Sequence, residues 1–140
     1  MCIRDSSDIV RPQHSIKLNT GQFLVSYRGT DLYRGFRNVC IHRVSLVGDN
    51  GKVTRSYGYA GGSDVGEMNM PRHLAVDKDS HCVFVADRDN ARVVLLSPTL
   101  EFVRYVIEGL TDARRLYFNQ ATRRLFVGQG DTRPVTVIQL

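Results

Sequence analysis

Short apolar runs alternate with turn residues along the chain, and this pattern predicts an all-β protein. Each run is five to seven residues long and rich in Val, Ile, Leu, Phe and Tyr, and turn signals such as Gly48-Asp-Asn-Gly51 and Ser97-Pro98 separate neighbouring runs. No helix is needed to account for the pattern. The predicted strands are residues 14–18, 22–27, 41–47, 52–57, 72–77, 82–86, 91–97, 101–107, 114–118, 123–128 and 134–139.

The runs repeat at a constant spacing. Leu74-Ala-Val-Asp77 matches Leu116-Tyr-Phe-Asn119, and Val83-Phe-Val-Ala-Asp87 matches Leu125-Phe-Val-Gly-Gln129, in each case 42 residues later. A first unit has the same order of strands but carries about eleven extra residues around positions 30–41. A period near 42 residues with four strands is typical of a β-propeller blade. The sequence therefore predicts an all-β propeller fragment of about three four-stranded blades, at residues 11–58, 68–108 and 111–140.

The apolar content of the strands gives their radial order. In each unit the first two strands are nearly continuous apolar runs, whereas the outer strands alternate, so the first two are expected to pack between neighbouring blades. The third unit stops after its third strand, at Leu140. Either the chain is truncated, or the last blade takes its outer strand from the far N-terminal end of the domain; we favour the second explanation.

The second unit resembles the NHL repeat. The resemblance depends on Gly58-x-x-Gly-x-x-x-x-Gly66-Glu-Met-Asn-x-Pro71, on Asp87 and on Asn90-x-Arg92. The chain is similar to the C-terminal propeller of invertebrate tripartite-motif (TRIM-NHL) proteins. The resemblance implies a six-bladed propeller, so the missing blades of the same chain are expected partners. It also implies an upstream RING, B-box and coiled coil, which would make the whole protein a ubiquitin ligase whose target this domain selects.

The motif residues are expected to hold the blade together. Asp87 can accept backbone N–H groups, Asn90 tolerates a left-handed turn, and Arg92 can pair with a carboxylate across the blade interface. Tyr27, Gln129 and Pro134 depart from the motif in the other two units, which argues against chemistry repeated in every blade. The residues assigned a structural role are Asp87, Asn90, Arg92, Arg43, Gly58, Gly66 and Pro71.

Charge and cysteine content narrow the expected partners and location. The net charge is +5, and sixteen of the nineteen basic residues are arginine, which favours forked recognition of phosphate or carboxylate. Cys2, Cys40 and Cys82 form an odd set without metal-binding spacing, so reduced thiols in a cytoplasmic protein are expected. The sequence contains no run of 18 apolar residues, so no membrane-spanning helix is predicted. Residues 1–6 resemble a translated sequencing adapter rather than part of the protein.

Basic residues gather at one predicted rim. His14, His73 and Arg115 come just before the innermost strands of the three units, and equivalent positions of neighbouring blades converge on the mouth of the central channel. The extra segment of the first unit interleaves arginine with aromatic residues, as in single-strand nucleic-acid sites and in protein contacts. Solvated loop residues would give the same pattern. The candidate ligand-binding residues are His14, Arg28, Tyr33, Arg34, Phe36, Arg37, Arg72, His73, Arg88, Arg114 and Arg115.

The predicted function is that of a non-catalytic binding platform for a protein partner or single-stranded RNA. No nucleophile motif or phosphate-binding loop occurs in the chain, and neither a cofactor nor a metal is expected. The alternative is a metal-dependent propeller enzyme, either a lactonase-type hydrolase or a lyase acting on peptidyl-hydroxyglycine. Such an enzyme would use channel histidines or acidic residues as metal ligands.

Overall fold

The computed structural model of the protein describes residues 11–31, 39–58 and 61–140, and these residues form a propeller-like all-β fold. Their strands build antiparallel sheets of four, four and three strands, as predicted, and a single turn of 3-10 helix lies at Arg88–Asn90. The first blade contains β1 (Pro12–Lys17), β2 (Phe23–Asp31), β3 (Val39–Val47) and β4 (Val53–Tyr57). The second contains β5 (Pro71–Val76), β6 (Val83–Asp87), β7 (Arg92–Leu96) and β8 (Phe102–Glu108). The third contains β9 (Ala113–Asn119), β10 (Arg124–Gln129) and β11 (Thr136–Gln139).

The loop between β2 and β3 is shorter than the sequence predicts, because part of the extra segment belongs to the two strands. β2 continues to Asp31 and β3 begins at Val39, and the added residues pair across the hairpin, for example Thr30 with Cys40. Continuing the ladder satisfies backbone N–H and C=O groups that a long loop would leave to solvent. The candidate residues Tyr33, Arg34, Phe36 and Arg37, like residues 1–6, lie outside the described residues.

The second blade is packed on both of its faces. Val83 and Val85 of β6 point into a core shared with the first blade, whereas Phe84 and Ala86 point into a core shared with the third. Successive side chains of a strand face opposite sides, so both sides of β6 are covered and all five of its residues are buried. This two-sided burial is the physical reason for the continuous apolar run in the sequence.

A buried ion pair lies at the rim end of the second blade. Arg92 Nε lies 2.8 Å from Asp87 Oδ2, and the two side chains are 5% and 0% exposed. Burial raises the pKa of Asp87, while hydrogen bonds from Asn90, the Asn69 amide and Arg92 oppose that shift. The prediction that Arg92 pairs across the blade interface is wrong, because its partner belongs to the same blade: the two residues face each other in the β6–β7 ladder.

The same cluster fastens the loop that crosses from the first blade to the second. Arg92 Nη1 donates to the carbonyl of Ser63 at 2.6 Å, and Asn90 Nδ2 donates to that of Gly62 at 2.6 Å. The sequence predicts a left-handed conformation at Asn90, but the structure shows it at Ala91, with φ of 52°. Asn90 instead lies inside the 3-10 turn, which brings its amide to the crossing loop.

The third blade makes the equivalent link with a different side chain. In the second blade Asp87 Oδ1 accepts the N–H of Asn69 at 2.7 Å. Gln129, 42 residues after Asp87, donates its amide to the carbonyl of Thr111, 42 residues after Asn69, at 2.9 Å. The donor and the acceptor are exchanged, but the strand end is tied to the same point of the preceding loop.

Substituting Gly58 should test the close approach of the crossing loop to β3. Gly58 has a φ of +89°, and a Cβ there would contact the carbonyl oxygen of His42. Gly58→Ala is expected to lower the free energy of unfolding by about 2–3 kcal/mol, because backbone strain and a steric clash add. Gly21→Ala is the control, since Gly21 has a φ of +85° but open space around it, and strain alone costs about 1 kcal/mol. Equal losses in chemical denaturation would contradict the contact.

One face of the third blade exposes large apolar side chains. Tyr117, Val135 and Val137 are 62%, 59% and 49% exposed. Leu116 and Phe118, on the other face of the sheet, pack against the second blade, so the exposed face is the one turned away from it. In the described part of the chain no helix is long and apolar enough to cross a membrane.

Candidate anion-binding rim

Arginines converge in a pocket between the second and third blades, at the end where β5 and β9 begin and β10 ends. Arg72 is the second residue of β5, and Arg114 and Arg115 follow the first residue of β9. The loop after β10 closes the other side with Arg133 and Asp131. The pocket has a volume of about 380 Å³, and its lining residues are Arg72, Arg114, Arg115, Gly128, Gln129, Gly130, Asp131 and Arg133.

Asp112 holds two of the rim arginines. Arg88 Nε donates to Asp112 Oδ1 at 2.6 Å, and Arg114 Nε lies 2.9 Å from Asp112 Oδ2. Arg114 and then Arg88 lower the pKa of Asp112 to about 2, so the carboxylate is ionised at neutral pH. A Cβ on Gly130 would collide with this carboxylate, and the missing side chain allows the loop to close over it. Arg88 and Arg114 therefore share one carboxylate, which fixes both side chains in position and offsets one of their two positive charges.

Three other arginines of the pocket have no carboxylate partner among the described residues. Neither Arg72, Arg115 nor Arg133 forms an ion pair there, and Asp131, the acidic residue of the lining, lies 3.8 Å from Arg114 instead. Gly128 faces Arg115 in the β9–β10 ladder and has no side chain to obstruct it. The pocket therefore presents a positive potential that a ligand with phosphate or carboxylate groups can neutralise.

His14 and His73 contribute to the blade interfaces rather than to the pocket lining. Each is the third residue of its strand and does not precede the strand as predicted, because β1 begins at Pro12 and β5 at Pro71. His14 Nδ1 accepts the N–H of Leu74 at 3.1 Å, and His73 Nδ1 accepts that of Leu116 at 3.1 Å. The two rings also stack, with centroids 3.8 Å apart. Each histidine thus joins its strand to the innermost strand of the next blade.

This arrangement requires neutral imidazoles. Burial, together with the neighbouring His14 and Arg115, lowers the pKa of His73 to about 4. Burial and Arg115 also lower the pKa of His14. At neutral pH both Nδ1 atoms are therefore unprotonated, which lets them accept the backbone N–H groups.

His42 makes a third link of the same kind, and the sequence did not single it out. Its Nδ1 accepts the N–H of Met70 at 3.0 Å, and burial lowers its pKa. Arg28 lies nearby, with Nη1 donating to Met70 Sδ at 3.1 Å, and so belongs to the interface of the first and second blades. The structure thus brings Arg72, Arg114 and Arg115 together, with Arg88 beside them, and places Arg28 elsewhere.

Sequence reasoning missed Arg133 in the pocket lining and Asp112, which holds two arginines beside the pocket. A signal for Arg133 was present, since it lies in the loop between the second and third strands of its unit, as Arg88 does in the second blade. Asp112 has no acidic counterpart to reveal it, because Met70 occupies the equivalent position 42 residues earlier. Asp112 and Met70 both have a left-handed backbone, with φ of 59° and 61°.

No metal-binding cluster occurs in the part of the chain that the structure describes: no three His, Cys, Asp or Glu side chains there lie close enough to hold an ion.

No protein-family model matches the chain, and no curated protein matches it either. Among solved structures, the chain is similar to a protein of unknown function from Bacteroides caccae, with a TM-score of 0.61 and 17% sequence identity. The match covers 92% of this chain and 42% of that protein, so the chain spans less than half of its length. At this identity the similarity shows the fold alone.

Proposed function

We propose that the chain is a non-catalytic binding platform and that its arginine pocket binds the phosphate groups of single-stranded RNA. The observation that carries the proposal is the convergence of Arg72, Arg115 and Arg133 without carboxylate partners among the described residues. A guanidinium fork matches the oxygens of a phosphate bidentately, and three forks in one pocket can engage successive phosphates of a flexible strand.

The lining of the pocket favours a polyanion over a protein surface. Its side chains are arginine, aspartate and glutamine, and its other residues are glycines. The centre of a protein–protein interface is apolar and rich in aromatic residues, whereas nucleic-acid interfaces are more polar and much more positive. Single-stranded RNA also suits a pocket open at the rim, because its backbone can bend into a concave site that a duplex cannot enter.

Affinity for RNA should depend on the uncompensated arginines. Arg72→Ala and Arg115→Ala are each expected to weaken binding of a fluorescent single-stranded oligonucleotide about fivefold to twentyfold, because each loses a charge-assisted phosphate contact. Arg104→Ala is the matched control, since Arg104 is exposed on β8 and its loss removes the same charge. Fluorescence anisotropy at fixed salt measures the three affinities.

Equal affinities of the three variants would contradict the assignment of the pocket. Binding of a polyglutamate peptide with no measurable binding of RNA would assign the rim to an acidic protein partner instead. Turnover of an ester or lactone that is lost on chelation would favour the metal-dependent enzyme. Each outcome is distinct because the first tests the position of the site, the second its ligand and the third its chemistry.

The NHL-like motif in the second blade supports a wider proposal. The platform would be part of a six-bladed NHL propeller of a cytoplasmic TRIM-type ubiquitin ligase and would select its target. The motif residues Gly58, Gly66 and Pro71 all lie in or next to the crossing loop that Arg92 and Asn90 fasten. Sequencing the complete transcript tests this proposal, which expects further blades and an upstream RING domain. A transcript that encodes neither would contradict it.

A further inference from the structure

The two blade interfaces are closed differently at the end opposite to the rim. Between the second and third blades, Arg123 Nη2 lies 2.9 Å from Asp77 Oδ2, and Gln120 Nε2 donates to Asp77 Oδ1 at 2.8 Å. The Arg123 guanidinium also lies 5.0 Å from the centre of the Phe118 ring. A buried carboxylate, an amide, a guanidinium and an aromatic ring thus fill this interface.

The equivalent positions between the first and second blades carry other side chains. Leu18 follows β1 as Asp77 follows β5, and the residues 42 positions before Gln120, Arg123 and Phe118 are Lys78, His81 and Val76. The backbone is conserved between the two repeats, because His81 and Arg123 are both left-handed, with φ of 60° and 55°. The difference therefore lies in the side chains: a smaller residue replaces the ring, and leucine replaces the carboxylate.

These replacements leave a cavity of about 460 Å³ between the first two blades. Its walls are mainly apolar and include Leu18, Leu24, Leu46, Val76 and Val83, and the polar residues Asn19, Thr20 and Gln22 also line it. This volume lies within the range of about 300–1,000 Å³ that is usual for small-molecule sites. A long apolar chain can pack against these walls without leaving a polar group unsatisfied.

The mouth of the cavity is basic. Lys17, Lys78 and His81 line it, and all three side chains are exposed. Neither lysine forms an ion pair with a carboxylate of the described residues, and no acidic residue occurs in the lining. Leu18 occupies the position of the Asp77 carboxylate that pairs with Arg123 at the other interface. His81, the counterpart of Arg123, therefore has no carboxylate from the Leu18 position beside it, whereas Arg123 has Asp77.

We propose that this cavity binds an amphipathic carboxylate, with its hydrocarbon chain between the first two blades and its carboxylate beside Lys78 and His81. The ligand supplies both parts that this interface lacks relative to the next one: apolar volume in place of Phe118 and a negative charge in place of Asp77. A straight-chain fatty acid of medium length has this chemistry. The site is at the opposite end of the blades from the arginine pocket and does not depend on the function proposed for that pocket.

Isothermal titration of the intact protein with decanoate, decan-1-ol and decylamine tests the proposal. Decanoate is expected to bind at one site, and decan-1-ol at least tenfold more weakly, because it lacks the charge-assisted contacts of the carboxylate. Decylamine should bind more weakly still, since its ammonium group meets two lysines. Equal affinities for decanoate and decan-1-ol would overturn the proposal.

Two sets of variants locate the binding. Lys78→Gln is expected to weaken decanoate about fivefold to tenfold, whereas Lys52→Gln, the same change at an exposed lysine before β4, should leave its affinity unchanged. A fourfold variant, Leu18→Asp with Val76→Phe, Lys78→Gln and His81→Arg, copies the second interface into the first and should abolish binding. A folded fourfold variant that binds decanoate normally, or equal affinities of the two lysine variants, would show that the ligand binds elsewhere.

Discussion

Arg92→Ala is expected to lower the free energy of unfolding by about 3–5 kcal/mol, because it leaves the Asp87 carboxylate buried without its ion-pair partner. Asp87 is fully buried, so its carboxylate is shielded from bulk solvent. The substitution also removes the bonds from Nη1 and Nη2 to the carbonyls of Ser63 and Glu67, which fix the crossing loop to the second blade. Urea denaturation measures the change.

Arg104→Ala is the control for the loss of charge and should change stability by less than about 0.5 kcal/mol, since Arg104 is exposed on the outer strand β8. Arg92→Lys should recover only part of the loss, because an ammonium group keeps the charge but lacks the planar fork that reaches three acceptors. Unchanged denaturation of Arg92→Ala, together with lost RNA binding, would instead make Arg92 part of the binding site.

Mild acid is expected to destabilise the protein through the histidines that join the blades. The folded pKa of His73 is about 4 and its ordinary value is 6.5, so below pH 6.5 the unfolded chain takes up a proton that the folded chain does not. The contribution of neutral His73 to the free energy of unfolding is fully present above pH 6.5 and is lost as the pH falls towards 4. For His73 the loss is roughly 2 kcal/mol, after allowance for its partial exposure. His14 and His42 add losses of the same sign, because their pKa values are also lowered.

His73→Asn separates this effect from the titration of other groups. The amide oxygen of asparagine can accept the N–H of Leu116 but does not titrate, so the slope of stability against pH between 6.5 and 4.5 should flatten. His81→Asn is the matched control, since His81 is exposed and accepts none of these backbone N–H groups. Identical slopes for the two variants would contradict the role of His73 between the blades.

The strands could be predicted because the same apolar runs occur at equivalent positions of the repeated units, so the strands of one unit indicate those of the next. β6, predicted as residues 82–86, is found at Val83–Asp87, and β9, predicted as 114–118, at Ala113–Asn119. The exception is the hairpin of β2 and β3, which extends into the segment predicted as a loop. No second unit has this segment, so no comparison could show that its residues pair across the hairpin.

The site was predictable only where it follows the repeat. Arg72 and Arg114 occupy equivalent positions as the second residues of β5 and β9, Arg115 follows Arg114, and the structure brings all three into one pocket. Arg133 and Asp112 lie in loops at positions where the second blade has Ala91 and Met70, so the repeat itself singles out neither side chain. The role of His14 and His73 was also hidden, since an Nδ1 atom reaches the next strand only in the register that the packed blades adopt.

The salt dependence of RNA binding tests the assignment of the arginine pocket most directly. The plot of log affinity against log salt should lose about 2 units of slope in the Arg72, Arg115 and Arg133 triple alanine variant, because each phosphate contact on a single strand contributes about 0.7. A triple alanine variant of the exposed residues Lys52, Arg55 and Arg104 removes the same charge outside the pocket and should keep a slope close to that of the unmodified protein. Equal slopes for the two triple variants would contradict the assignment.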